Sequence, residues 1–202
     1  MSRPASWGRR ERLLPVASVS AAHRSADNLL KNAGFNKFDD VFVSHGLIRR
    51  VHIASRQLRD FVRSQNLWTV ARGWIGEDVR LCSLCLSVRT ESTISHPLHS
   101  DAPHTGVRGD RCVTALIPLV PIGIAEGGTY FVSEGKEHRP ELQIGDVLFW
   151  NGNALHTSGE VAAGMTRKAL IARWVSTDQV LMLPEEYRPS MDAEGRFSTT
   201  RF

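Results

Sequence analysis

The second half of the chain is a series of short apolar runs broken by turn residues. Arg80–Arg89, Arg111–Ile117, Gly128–Val132, Asp146–Trp150 and Lys168–Val175 are rich in Val, Ile, Leu, Thr and aromatics, and Gly, Pro, Asp and Asn separate them. That pattern predicts β-strands joined by turns. No long helical period divides the runs, which argues against βαβ units and for strands that pair with one another in a barrel or sandwich. The first third reads differently. Ser20 is placed to cap a helix through about Ala33, with Leu29 and Leu30 on its apolar side and Gly34 ending it. Phe38–Val43 reads as a short strand. Across His45–Ser64, Leu47, Ile48, Val51, Leu58, Phe61 and Val62 recur at helical spacing, with Arg49, Arg50, Arg56, Arg59 and Arg63 on the other side. This predicts the longest helix of the chain. The expected organisation is a flexible basic arm over 1–19, helical support over about 20–65, a β core over about 80–176 and a loosely ordered tail over 177–202.

Composition narrows the class. With 202 residues, 42% hydrophobic and 23% charged, the chain is ordinary globular material, neither disordered nor fibrous, and long enough for one sizeable core. The net charge of +4 first suggests an anionic partner, but its distribution changes that. Residues 1–80 hold 14 Lys and Arg against 7 Asp and Glu, whereas residues 81–202 hold 11 against 14. The basicity is amino-terminal, so nucleic acid is not the favoured partner. The arginine side of 49–63 reads as a solvated helix face, its stems lying on apolar surface. Three cysteines, an odd count, make no disulfide framework and predict a cytoplasmic protein with reduced thiols. Cys82-x-x-Cys85 lies in a strand run with no second pair, so both thiols are expected to be structural. No stretch approaches the roughly 20 apolar residues of a spanning helix, and no membrane association is expected. Nothing in the sequence sets an oligomeric state.

The chemistry is concentrated in two places. Ile94-Ser-His-Pro-Leu-His-Ser-Asp101-Ala-Pro-His104 packs three histidines and an aspartate into a short interval after a strand run. Because residues i and i+2 share a strand face, His99 and Asp101 can converge on one point. Gly145-Asp-Val-Leu-Phe-Trp-Asn-Gly-Asn-Ala-Leu-His156 then leads a strand through a turn to a single histidine. Two imidazoles and a carboxylate suit non-haem Fe(II) with open positions, and a catalytic zinc accepts the same set. His96 and His104 are alternative donors or pocket residues. Arg167 follows eleven residues after His156 and opens a strand in which Arg167, Ala169, Ile171 and Arg173 share one face. An arginine there can hold a carboxylate through two parallel hydrogen bonds. Arg173, deeper on the same face, is placed to pair with a buried acid.

Over roughly residues 80–176 the chain resembles the Fe(II)/2-oxoglutarate-dependent oxygenases, in particular the prolyl 4-hydroxylase-like and phytanoyl-CoA dioxygenase-like branch. The matching segments are Arg111-Cys-Val-Thr-Ala-Leu-Ile-Pro-Leu119, Glu126-Gly-Gly-Thr-Tyr-Phe131 and Gly145-Asp-Val-Leu-Phe-Trp-Asn151, with His99, Asp101, His156 and Arg167 at the motif positions. The resemblance implies a double-stranded β-helix (a cupin-like jelly roll) within a single oxygenase domain over 20–202. It implies Fe(II) on His99, Asp101 and His156, and the distal carboxylate of 2-oxoglutarate on Arg167. Thr90 stands where the family has a tyrosine near 2-oxoglutarate, and Tyr130 near a threonine position, so both become candidate cosubstrate residues. Arginine rather than the lysine usual in prolyl hydroxylases points away from peptidyl proline. Related halogenases lack the ligand carboxylate, so Asp101 favours hydroxylation or another oxygen-driven oxidation over halogenation. The implied reaction uses O2, releases succinate and CO2, is stimulated by ascorbate, and oxidises a C–H bond of a small molecule or of an amino-acid or peptidyl side chain. The alternatives are a nucleobase-oxidising relative and a metal-dependent cupin without oxygenase activity.

Overall fold

The computed structural model describes residues 6–33, 45–76 and 78–182. The expected strand at Phe38–Val43 and the tail from residue 183 lie outside these residues. Nine strands are described: β1 (Trp7–Arg10), β2 (Leu47–Ile48), β3 (Val79–Arg89), β4 (Cys112–Pro118), β5 (Thr129–Ser133), β6 (Lys136–His138), β7 (Val147–Asn151), β8 (His156–Ser158) and β9 (Arg167–Ser176). Among the described residues five α-helices accompany them: α1 (Val16–Ala33), α2 (Val51–Ala54), α3 (Arg56–Val62), α4 (Gln65–Ile75) and α5 (Ala102–Thr105). The strands form a six-stranded sheet, ordered β1-β7-β4-β9-β3-β2, and a three-stranded sheet, ordered β6-β5-β8. Every strand pairing is antiparallel.

Strand parity assigns the two faces of the large sheet. Val113, Ala115 and Ile117 of β4, Phe149 of β7, and Leu170, Ala172 and Trp174 of β9 join Val19, Leu58, Val62, Leu67 and Ala71 of the helices in one buried cluster. The alternate residues Leu116, Leu148, Trp150 and Ala169 pack with Phe131 of the small sheet. A sheet covered on both sides cannot alternate apolar with polar, and β4 is accordingly buried at all seven positions. β3 is the informative exception. Its residues Leu84 and Leu86 join the helix-side core, while Ser83, Cys85, Ser87 and Arg89 line an internal cavity. Arg89, Ser87, Cys85 and Ser83 pair in turn with Arg167, Ala169, Ile171 and Arg173 of β9.

The chain before β3 departs from expectation in four ways. Residues 1–19 are not a flexible arm throughout: β1 pairs with β7 at the edge of the large sheet, and Trp7 stacks on Phe131 at 4.8 Å. Helix α1 begins at Val16 rather than at a Ser20 cap, because Pro15 precedes it and its carbonyl accepts from the Ser18 and Val19 amides. The single helix expected over His45–Ser64 is instead a strand and two short helices. Leu47 and Ile48 pair with Ser87 and Leu86 of β3, so the edge of the sheet claims them. Gly46 makes this approach possible. Its φ is +65°, and a Cβ there would lie 2.2 Å from the Val88 carbonyl oxygen. Ser55 breaks α2 from α3 and caps the latter, its hydroxyl accepting from the Leu58 amide. Helix α4, which lies between the expected helical support and the first expected strand, buries Leu67, Ala71 and Ile75 at four-residue spacing.

Candidate metal centre

The backbone brings the two candidate histidines together before their side chains act. His99 and His156 form an isolated antiparallel bridge, each amide donating to the other's carbonyl at 3.0 and 2.8 Å. Their ring centroids are 4.5 Å apart. The Nδ1 of His99 lies 2.8 Å from the Pro97 carbonyl oxygen, and the Nδ1 of His156 lies 2.9 Å from that of Ala154. A carbonyl can only accept, so both imidazoles carry their proton on Nδ1 and keep the Nε2 lone pair for a ligand. Burial lowers the pKa of His156 and favours this neutral form.

Asp101 precedes α5 and is 4% exposed. Its Oδ2 accepts from Thr114 Oγ1 at 2.9 Å and from Trp150 Nε1 at 3.0 Å. Its Oδ1 accepts from Arg173 Nη2 at 2.7 Å and lies 4.0 Å from His99 Nε2. Burial alone would raise the Asp101 carboxyl; the facing Arg173 charge, His156 and the two side-chain donors outweigh it and bring the pKa to about 2. Burial likewise opposes the Arg173 charge, and Asp101 restores it, raising the arginine's pKa. The sequence-level expectation of a buried acid for Arg173 is thus met by the candidate ligand itself. Ligand atoms of His99, Asp101 and His156 all lie within 4.8 Å of one another. Two imidazoles with oriented Nε2 atoms and one locked carboxylate fit a divalent metal such as Fe(II) or Zn(II).

Arg173 would act on such a metal only through Asp101. Arg173→Met is expected to weaken metal affinity about 10- to 100-fold, the usual cost of losing a partner that orients a ligand. Titration of the apoprotein with Mn(II), followed by electron paramagnetic resonance, measures it.

The His-Asp-His cluster lines a cavity of ≈ 580 Å³ between the two sheets. Arg167 enters the same cavity from the start of β9 and is 2% exposed. Its Nη1 donates to Gly127 O at 3.0 Å and Ser158 Oγ at 2.8 Å, and its Nη2 to Thr129 Oγ1 at 3.2 Å. These bonds fix the guanidinium in place but supply no counter-charge. Burial, followed by the neighbouring Arg89 charge, lowers its pKa to about 9. It therefore remains charged at neutral pH.

Thr90 and Tyr130 do not line this cavity; Arg89 and Thr129, one residue earlier in each case, do. Strand alternation turns Tyr130 to the opposite face of β5 from Thr129, and Thr90 lies just past the end of β3. Thr90 sits in a turn, its hydroxyl 3.0 Å from Ser92 Oγ, and the ring of Tyr130 lies under the Arg139 guanidinium at 4.1 Å. His96 stacks on His45 with centroids 4.4 Å apart and stands outside the ligand cluster. The His104 side chain lies outside the described residues. The three cysteines are free thiols whose pKa values burial raises, and among the described residues none joins the metal cluster.

No protein-family model matches the chain, and no curated protein sequence does. Solved structures do. The α-ketoglutarate-dependent epimerase SnoN from nogalamycin biosynthesis is 17% identical, with a TM-score of 0.73 over 85% of this chain and 78% of that one. EctD from S. alaskensis, solved with 2-oxoglutarate and 5-hydroxyectoine, is 16% identical, with a TM-score of 0.75 over 86% and 73%. The fold is a jelly roll. The non-haem monooxygenase ThoJ, solved as a nickel complex, aligns on the same jelly roll at 17% identity, with a TM-score of 0.69 over 85% of this chain and 74% of that one.

Proposed function

We propose that this protein is an Fe(II)- and 2-oxoglutarate-dependent dioxygenase that hydroxylates an unactivated C–H bond. The substrate is a small molecule or an amino-acid or peptidyl side chain. One observation carries the reading: a His-Asp-His cluster and a buried arginine with no carboxylate partner among the described residues line the same cavity. Similarity in fold to the α-ketoglutarate-dependent epimerase SnoN and to EctD, solved with 2-oxoglutarate, supports it. His99, Asp101 and His156 would hold Fe(II). The chemistry that such a centre would supply is O2 activation, by which 2-oxoglutarate would be converted to succinate and CO2 with one oxygen atom going into the succinate and the other into the substrate C–H bond.

The chain's own contribution is placement. Arg167 would take the distal carboxylate of 2-oxoglutarate, with Thr129 and Ser158 holding the guanidinium still. The ordered bridge between His99 and His156 would fix the direction of both Nε2 atoms. Arg173, Thr114 and Trp150 hold the Asp101 carboxylate in one orientation. Such preorganisation limits the rearrangement needed when ligands arrive. A nucleic-acid substrate is less well supported, since Asp60 lies against both Arg56 and Arg59 on the basic helix face. Among the described residues no helix is long and apolar enough to cross a membrane. The free thiols support a cytoplasmic location.

The direct test is aerobic incubation with Fe(II), 2-oxoglutarate and ascorbate against a panel of amino acids, peptides and small metabolites, with succinate measured by mass spectrometry. Succinate should form in the wild type, even uncoupled from substrate, and disappear in His156→Ala. Absence of 2-oxoglutarate binding to metal-loaded wild type would defeat the proposal. Product analysis separates hydroxylation from epimerisation or ring closure.

A further inference from the structure

The cavity holds a second buried arginine that the metal centre does not use. Arg89 ends β3 directly opposite Arg167 in the β3–β9 ladder, and both are 2% exposed. Its Nη2 donates to Ser95 Oγ at 2.9 Å, while its Nε and Nη1 are buried without a hydrogen-bond partner. Arg167 Nε is also unpartnered, as is the hydroxyl of Ser87, two residues before Arg89 on the same face. All three residues line the cavity. Two like charges removed from water with donors unsatisfied are costly unless an anion completes the site. Burial lowers the pKa of Arg89, which has the same origin.

We propose that Arg89 and Arg167 together seat the distal carboxylate of the cosubstrate, with the Ser87 hydroxyl beside them. This rests on the 2-oxoglutarate reading above and adds a residue that the sequence did not bring forward. Directly opposed residues of antiparallel strands have Cβ atoms about 4.5–5.5 Å apart, so the two side chains arise at one place in the cavity and serve one ligand end. Arg167 spends its Nη1 on Gly127 and Ser158, leaving its Nε side for the ligand. Arg89 supplies the donors on the opposite side. A carboxylate has about four acceptor positions, enough to take donors from both guanidiniums. The second positive charge makes the site a selector for a ligand that is anionic at its far end.

The experiment compares 2-oxoglutarate with 2-oxovalerate, the same keto acid with a methyl group in place of the distal carboxylate. Affinities are measured calorimetrically under nitrogen with Mn(II)-loaded protein, so no turnover is required. Wild type should prefer 2-oxoglutarate strongly. In Arg89→Met that preference should fall about 10- to 100-fold, as expected for lost hydrogen bonds to a charged group. Arg89→Lys keeps the charge without the planar fork and should lose an intermediate part of it. Mn(II) affinity should stay unchanged in both, which a merely structural role for Arg89 would not require. If Arg89→Met does not fold, the Arg89→Lys ratio decides. A preference equal to wild type in every folded variant would overturn the assignment of Arg89 alone. A wild type that does not distinguish the two keto acids would overturn the 2-oxoglutarate reading itself.

Discussion

Asp101→Asn is expected to lose metal affinity by more than about a hundredfold, because loss of a ligand's partner alone costs 10- to 100-fold. It is also expected to destabilise the metal-free protein. Asp101 receives Thr114 and Trp150 on Oδ2 and Arg173 on Oδ1. An amide offers an oxygen to one side only, so its NH2 group must face donors on the other. Arg173 is left without its counter-charge as well. Breaking a buried pair in this way costs about 3 kcal/mol, which for a chain of this size lowers Tm by roughly 6–12 °C. The pH dependence follows from the direction of the shift. Asp101 falls from 3.8 to about 2 on folding, so its contribution is complete above the unfolded value and is lost as pH falls through about 2. Wild type and Asp101→Asn should therefore differ most at neutral pH and converge in acid. Thermal melts of both metal-free proteins from pH 7 to pH 2 measure this; a stability gap that does not close in acid would count against the Asp101 charge as its source.

The sequence was most legible where one side of a strand had to meet a core. The five runs from Arg80 onward match five strands to within one residue at every boundary, because the apolar residues of β4, β7 and β9 are needed on both faces of the large sheet. The His99, Asp101 and His156 cluster was legible because two sequence segments ended in residue types with one shared chemistry. What local pattern could not carry was pairing. Leu47 and Ile48 fit a helical stripe, yet the edge of β3 offered them hydrogen bonds that a stripe cannot weigh. Trp7–Arg10 has no period of its own and becomes a strand only because β7 is there to pair with it. Arg89 lay one residue from the position that family resemblance singled out, and only the register opposite Arg167 distinguishes it from Thr90. Trp150 reads from sequence as packing, and it does pack, but its Nε1 also fixes Asp101.

The second large effect is expected at Arg167. Arg167→Met should raise the dissociation constant for 2-oxoglutarate by at least about a hundredfold, the combined loss of two hydrogen bonds to a charged group. Metal binding should not follow it, since Arg167 bonds to Gly127, Ser158 and Thr129 and to none of the three ligands. Stability should change little, because two opposed effects accompany the substitution. The Gly127 carbonyl and the two hydroxyls lose a donor, while the repulsion between Arg167 and Arg89 across the strand pair disappears. Arg167→Lys retains a charge but not the fork, and the lysine ammonium is a point donor that cannot grip a carboxylate side-on. Its affinity should fall between those of wild type and Arg167→Met. Calorimetric titration of the Mn(II)-loaded proteins with 2-oxoglutarate, alongside Mn(II) titration of the apoproteins, separates the two sites. Equal loss of metal and keto-acid binding would mean that Arg167 supports the cavity as a whole. Loss of keto-acid binding alone marks it as the anion seat.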